Sequence, residues 1–282
     1  MALATAGAFL KESSISCSEY LQQYEAKWEV VLDDKEELPD YPTRTLYTTW
    51  DLSLTQIKQQ NAQAAKLLAF LAYFDHQDIW YELLRAGQSA DRPAWFTELI
   101  SDKFSFERAM RTLTRYCLVE SHRQTGSYSL HVCVHDWTLD GLNRDIDTSQ
   151  YWLAFDCVAG HVRLEDWDNL SGLRYRRLTP HAVRLVHERF QRAGCQQEWV
   201  QSELSRAEVI GQLLYKQIQH KAAELMYLRV LGGKEKALGP DHTSTLDTVN
   251  NLGLLYADQG KLAEAEQMYV RALAGKEKML GT

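Results

Sequence analysis

The chain repeats itself. Sliding it by 42 residues lays Lys234-Glu235-Lys236-Ala237-Leu238-Gly239 over Lys276-Glu277-Lys278-Met279-Leu280-Gly281. The same offset pairs Gly211 with Gly253, Leu213 with Leu255, Ala223 with Ala265 and Glu224 with Glu266. It also pairs Met226 with Met268, Tyr227 with Tyr269 and Arg229 with Arg271. Identities this dense at one offset exclude chance. They mark a repeat in which each unit buries its apolar face on its neighbour.

Each unit reads as two helices. Leu252, Leu255 and Tyr256 recur at i, i+3, i+4, Gly260-Lys261 punctuates a turn, and Ala265, Met268, Tyr269 and Ala272 resume the spacing. Gly253 and Ala265 are the small residues expected where the two helices cross. Tyr269 and Ala272 are expected to fill the junction with the neighbouring hairpin. Between the units, Leu238-Gly239-Pro240-Asp241 stops one helix and forbids its continuation, and Thr243 or Ser244 is expected to cap the next.

In the order Leu252-Gly253, Tyr256, Ala265, Tyr269, Ala272, residues 209–281 resemble two tetratricopeptide hairpins. The long period and the Leu-Gly-Pro-Asp-His linker resemble the kinesin-light-chain variant. The resemblance implies a protein-binding, non-catalytic module whose first helix in each hairpin lines a concave groove. The implied groove positions are Asp247, Asn250, Asn251, Leu254 and Asp258, and in the first unit Ser205, Glu208, Val209, Gln212 and Lys216. An asparagine there can hold a bound peptide backbone by donating and accepting together. Two hairpins rarely bury a continuous core, so the array is expected to continue and the chain reads as a fragment or truncated product.

With 282 residues the chain is long enough for two domains. Its 45% hydrophobic and 24% charged content is that of a soluble globular protein. A net charge of -7 gives the whole chain no electrostatic reason to seek nucleic acid or an anionic membrane. No apolar run is long enough to span a bilayer. The apolar opening of residues 1–10 lacks a basic start and is closed by Lys11-Glu12, which argues for a buried helix rather than a signal peptide. Cys17, Cys117, Cys133, Cys157 and Cys195 are scattered singly, as reduced thiols of a cytoplasmic protein would be.

Residues 1–11, 16–32 and 44–58 read as amphipathic helices carrying Trp28, Val31, Leu46, Trp50, Leu54 and Ile57, with Pro39 and Pro42 between the second and third. Residues 64–74 are apolar nearly all round and read as a central core helix. Shorter helices are expected at 78–86 and 93–101, and another at 104–117 opened by Ser105. Then the period changes: β-prone runs at 117–121 and 127–132 flank Gln124-Thr125-Gly126, a hairpin signal. Helices closed by a hairpin suggest a winged helix with its recognition position on 104–117, and a further helix begins near Val134.

Four stretches then resemble the part of a fungal NB-ARC/tetratricopeptide protein that lies downstream of its nucleotide-binding core. They are residues 2–10, Cys17-Ser18-Glu19-Tyr20-Leu21, Arg44-Thr45-Leu46-Tyr47-Thr48-Thr49-Trp50, and residues 128–137 ending in Val134-His135-Asp136-Trp137. That family belongs to the STAND signal-transducing ATPases. The resemblance places Val134-His135-Asp136 where the family carries a Met-His-Asp sensor. It implies that His135 contacts the β-phosphate of ADP, that Asp136 orients the loop, and that an intramolecular nucleotide-binding domain is the docking partner. The chain has no Gly-x-x-x-x-Gly-Lys-Ser/Thr loop; Gly232-Gly233-Lys234-Glu235 and Gly275-Lys276-Glu277 lack the magnesium-binding hydroxyl. No enzyme activity and no cofactor are therefore expected, ADP or ATP entering only with the nucleotide-binding core. An ordinary buried histidine is the other reading of His135.

Other constellations carry less. His131, Cys133 and His135 would share one face of a strand with zinc-ligand chemistry, but lack a fourth ligand, and His135 falls at the start of a helix. Arg108, Arg111 and Arg115 align at i, i+3, i+7 and could grip phosphates, against which stands the acidic whole. His181 and His187 have no nucleophile in a recognisable elbow. The expected fold is mainly α: a remnant helical segment over 1–43, a winged-helix-like domain with a small β-hairpin over 44–145, a bridging segment over 146–208 capping the first repeat, and a tetratricopeptide α-solenoid over 209–282. The expected function is the regulatory, protein-binding part of a STAND-type signalling protein. A free-standing kinesin-light-chain-like adaptor is the alternative.

Overall fold

The computed structural model describes residues 2–13, 15–33, 41–87, 92–162, 172–187, 190 and 199–280. Pro39, Cys195 and Gly281 lie outside them, as do the side chains of Trp28, Val31, Pro42, Arg44 and Thr45. The protein is mainly helical with one two-stranded antiparallel sheet. It divides into two compact units, one of residues 1–82 and 91–145, the other of residues 83–90 and 146–282. Residues 1–43 therefore share a unit with the helices and hairpin of 44–145, and residues 146–208 share one with the repeats.

In the first unit, helices α1 (Ala2–Glu12), α2 (Cys17–Asp33) and α3 (Tyr41–Gln60) precede α4 (Ala62–Phe70). A capping box starts α2: Ser16 N–H donates to Glu19 Oε2 (2.6 Å) and Glu19 N–H to Ser16 Oγ (3.2 Å), which holds the Glu19 carboxyl below its usual range. Asn61 caps α4, accepting from Ala64 N–H at 3.1 Å. The core helix is shorter than its apolar run. It tightens into a 3-10 turn at Leu71–Tyr73, and Phe74 is extended, so that Phe70 packs edge-on against Phe74 and Phe96.

The helix expected at 78–86 is reduced to α5 (Tyr81–Arg85), because Ile79 is taken by a β-bridge to Tyr128. Helix α6 (Ala94–Ile100) turns through Ser101-Asp102 into α7 (Lys103–Arg115). Asp102, not Ser105, is the cap: its carboxylate accepts from Ser105 N–H at 2.7 Å and is held low by that bond. Strands β1 (Val119–His122) and β2 (Ser127–Leu130) pair with Val119 opposite Leu130, and Gly126 supplies the left-handed residue of the turn at φ 65. The order is helix, single bridge, three helices, strand, strand. Helix α8 (Val132–Trp137) follows and passes into a π-turn at Thr138–Leu142.

In the second unit α9 (Thr148–Ala159) is capped by Asp147, and Tyr151 Oη donates to the Leu185 carbonyl of α10 (Gly172–Leu185) at 2.9 Å. Pro180 lies inside α10. Both helices pack on α11 (Gln201–Lys216), where Arg206 pairs with the buried Asp156 at 2.9 Å. Helix α11 forms the first hairpin with α12 (His220–Leu238), and α13 (Thr243–Asp258) forms the second with α14 (Leu262–Leu280).

Glycine makes each crossing possible. A Cβ built on Gly211 would come within 2.7 Å of the Tyr227 ring, and one on Gly253 within 2.7 Å of Tyr269. Tyr269 thus packs across its own hairpin rather than only at the junction with a neighbour. A second pair was not foreseen: Gly233 and Gly275 receive the side chains of Leu204 and Leu246. The linker also differs in detail, since His242 Nδ1 caps α13 by accepting from Ser244 N–H at 3.2 Å. Thr245 Oγ1 instead reaches back to the Gly239 carbonyl at 2.9 Å.

The two hairpin turns adopt one geometry with different residues. Gly260 has φ 76; its counterpart Ile218 has φ 59. A β-branched side chain in that region is strained by about 1 kcal/mol. Ile218 is also exposed, so its side chain gains little from burial. Ile218→Gly should therefore raise stability by roughly 0.5–1 kcal/mol in urea unfolding; a loss of stability would show the strain argument to be mistaken.

Candidate functional site

Helices α11 and α13 carry the ten groove positions named above, and the structure sorts them into two groups. One group is consumed in holding the hairpins together. Lys234, on α12, is 1% exposed. Its ammonium donates to Glu208 Oε2 on α11 (2.7 Å) and, on α13, to the Ser244 carbonyl (3.1 Å) and Thr248 Oγ1 (3.0 Å). Thr248 in turn donates to Glu208 Oε1 at 2.9 Å. All three ammonium protons are used, as a buried lysine requires. Glu208 is thus part of an interhelical clamp rather than an unoccupied groove carboxylate.

At the other end of the same helices, Tyr215 Oη donates to Asp258 Oδ2 at 2.6 Å. That bond, with partial burial, pushes the Tyr215 phenol up to about 12. A raised phenol pKa means that the contribution is complete below the unfolded value near 10 and fades as pH climbs through 12. Tyr215→Phe should therefore lower Tm below pH 10, and the gap from the parent protein should close as pH approaches 12. A gap that widens over that interval would contradict the assignment. Asp247 is paired as well, accepting from Lys276 Nζ at 2.8 Å on the exposed side of α14.

The second group remains available. Asn250, Asn251, Val209 and Gln212 are half-exposed, Ser205 and Lys216 are exposed, and Leu254 is 41% exposed. Gln212 Oε1 is buried without a hydrogen-bond partner. Amides, a leucine and a lysine on neighbouring first helices suit an extended peptide, whose backbone needs donors and acceptors and whose side chains need an apolar contact. Sequence reasoning missed Lys234, Thr248 and Tyr215. The signal for Lys234 lay in its exact repetition as Lys276, at a position flanked by the repeated small residues.

In the first unit His135 is 4% exposed. Its Nε2 lies 2.9 Å from the Phe74 carbonyl. A carbonyl only accepts, so Nε2 carries the proton, and the bond ties α8 to the end of the core helix. Asp136 is exposed. His131 caps α8 by accepting from Cys133 N–H at 3.3 Å, so His131, Cys133 and His135 do not share a strand face. Among the described residues no group of three or more His, Cys, Asp or Glu could hold a metal. None of the described helices is long and apolar enough to cross a membrane.

Residues 203–278 match the tetratricopeptide repeat family, and residues 55–146 match a domain of unknown function, DUF7779. No match was found among curated proteins. The chain is a tetratricopeptide-repeat-containing protein, and such repeats are typically protein-interaction modules without catalytic chemistry. The DUF7779 match runs from the end of α3 through α8 and the π-turn, and so takes in α4, the Ile79 bridge, the three helices α5 to α7 and the β1–β2 hairpin.

Proposed function

We propose that this chain is the non-catalytic regulatory and protein-binding part of a STAND-type signalling protein, and that its repeats bind a peptide segment of a partner along α11 and α13. The observation that carries the binding role is the division of labour among the groove residues. Glu208 on α11 and Asp247 and Asp258 on α13 are spent on internal ties, while Asn250, Asn251 and Leu254 on α13 are left half-exposed or exposed. Partner capture from the native cells, read by crosslinking and mass spectrometry, tests it. Asn250→Ala with Leu254→Glu should remove a partner retained by the parent protein while leaving helicity unchanged. A partner retained by that variant but lost on changing Leu273, on α14, would place binding elsewhere.

The STAND context is supported by the order of elements: a hairpin-closed helical domain, then Val134-His135-Asp136 on α8, then the repeats. In this reading the winged-helix-like unit docks against a nucleotide-binding domain of the full-length protein, and His135 and Asp136 stand at that junction. The chain alone should give no heat with ADP in calorimetry, since the phosphate-cradling loop is not in it. Micromolar ADP binding abolished by His135→Ala would overturn the reading.

A further inference from the structure

Along α7, Phe104, Arg108, Arg111 and Arg115 fall within roughly 60° of one another at 3.6 residues per turn. All four are exposed, opposite the buried Phe106, Ala109, Met110 and Leu113. Phe104 is 65% exposed, the only exposed Phe, Tyr or Trp among the described side chains. Among the described residues Arg108 and Arg111 make no ion pair. Arg115 reaches Glu12 only at 3.6 Å and keeps 61% of its side chain in solvent. The fold would stand equally well with a polar residue at 104, so an exposed phenyl ring heading a row of guanidinium groups is not explained by packing within the unit.

We propose that this face of α7 is a docking site for an acidic protein surface, whose carboxylates pair with Arg108 and Arg111 while Phe104 enters an apolar recess between them. Guanidinium forks match carboxylates bidentately, and arginine with an aromatic ring is the composition of protein-interface hot spots. A nucleic-acid duplex fits the surface less well. Phosphate binding depends on many contacts in a field of one sign. Here Glu107 stands about 40° from Arg111 on the same helix, and the turn of the hairpin, residues 123–126, adds a single cation, Arg123. The site lies in the first unit and does not depend on the groove of the repeats.

The test uses the full chain, labelled for NMR, and three probes: a helical peptide with Glu at i, i+3 and i+7 beside leucine, its Glu→Gln analogue, and a 20-base-pair duplex. The Glu peptide should shift amides of α7 and β1–β2, and its affinity should drop about tenfold when screening salt is raised from 0.05 to 0.5 M. The pair Arg108→Glu and Arg111→Glu should weaken it at least about tenfold. Phe104→Ser should weaken it several-fold with the salt dependence intact. All three positions are exposed, so helicity should not change. Equal binding of the Gln analogue, tighter binding of the duplex, shifts confined to other helices, or no binding at all would overturn the proposal.

Discussion

Lys234→Met should lower the stability of the repeat array by about 3 kcal/mol, because removing one partner of a buried pair leaves the other charge uncompensated. Lys234 connects three helices, and methionine would fill its volume while leaving Glu208, the Ser244 carbonyl and Thr248 without their donor. The repeat itself provides the control. Lys276 is the same residue one period later, yet its ammonium meets Asp247 on the surface, with 45% of the side chain exposed. Lys276→Met should therefore cost less than about 1 kcal/mol. Adding Glu208→Leu to Lys234→Met should recover much of the loss, since the orphaned carboxylate goes with it. Urea unfolding of the four proteins decides the matter. Equal costs at 234 and 276 would mean that the clamp is not the source of stability.

Gly211→Ala and Gly253→Ala should differ although both glycines face a tyrosine ring at the same distance. Each methyl would arrive 2.7 Å from the ring, a contact that something must yield to relieve. Alanine in a helix gains about 1 kcal/mol over glycine from reduced backbone freedom in the unfolded chain. Tyr227 is fully buried and has nowhere to go, so overpacking of roughly 2–3 kcal/mol should prevail at Gly211. Tyr269, on the outer helix, is half-exposed and can swing toward solvent, so Gly253→Ala should come out near neutral. Paired thermal melts would test the contrast, and a larger loss at 253 than at 211 would refute it.

Both arguments show what the 42-residue period conceals. Identical residues at matched positions have different energies, because the first hairpin is covered on both sides and the outer face of α14 is not. Val270 and Leu273, exposed on that face, stand one period after Leu228 and Leu231, of which Leu231 is buried. Sequence comparison finds the repeat but cannot say which copy is inside.

Much of the architecture was nevertheless legible. The hairpin at 119–130, the apolar core helix, the paired helices of each repeat and the close crossings at Gly211 and Gly253 all follow from periodicity and from residues with one steric virtue. Errors clustered at boundaries. Asp102 and His242 displaced the expected caps because each lies one residue before its helix with a side-chain acceptor already aimed at the second or third N–H. The β-run expected over 127–132 ends at Leu130 for the same reason: a capping histidine, His131, turned the chain into α8.

Local pattern therefore determined where helices lie, which face of each is apolar, and where only glycine fits, since those depend on residues three or four apart. Tertiary structure alone decided which polar groups meet. Ile79 was drawn out of a helix by a backbone 49 residues away, at Tyr128. Lys234 became a buried clamp because its partners come from two other helices, and Glu208 left the groove to serve it. Such pairings cost desolvation unless every donor finds its acceptor, and whether it does is settled only when the helices pack.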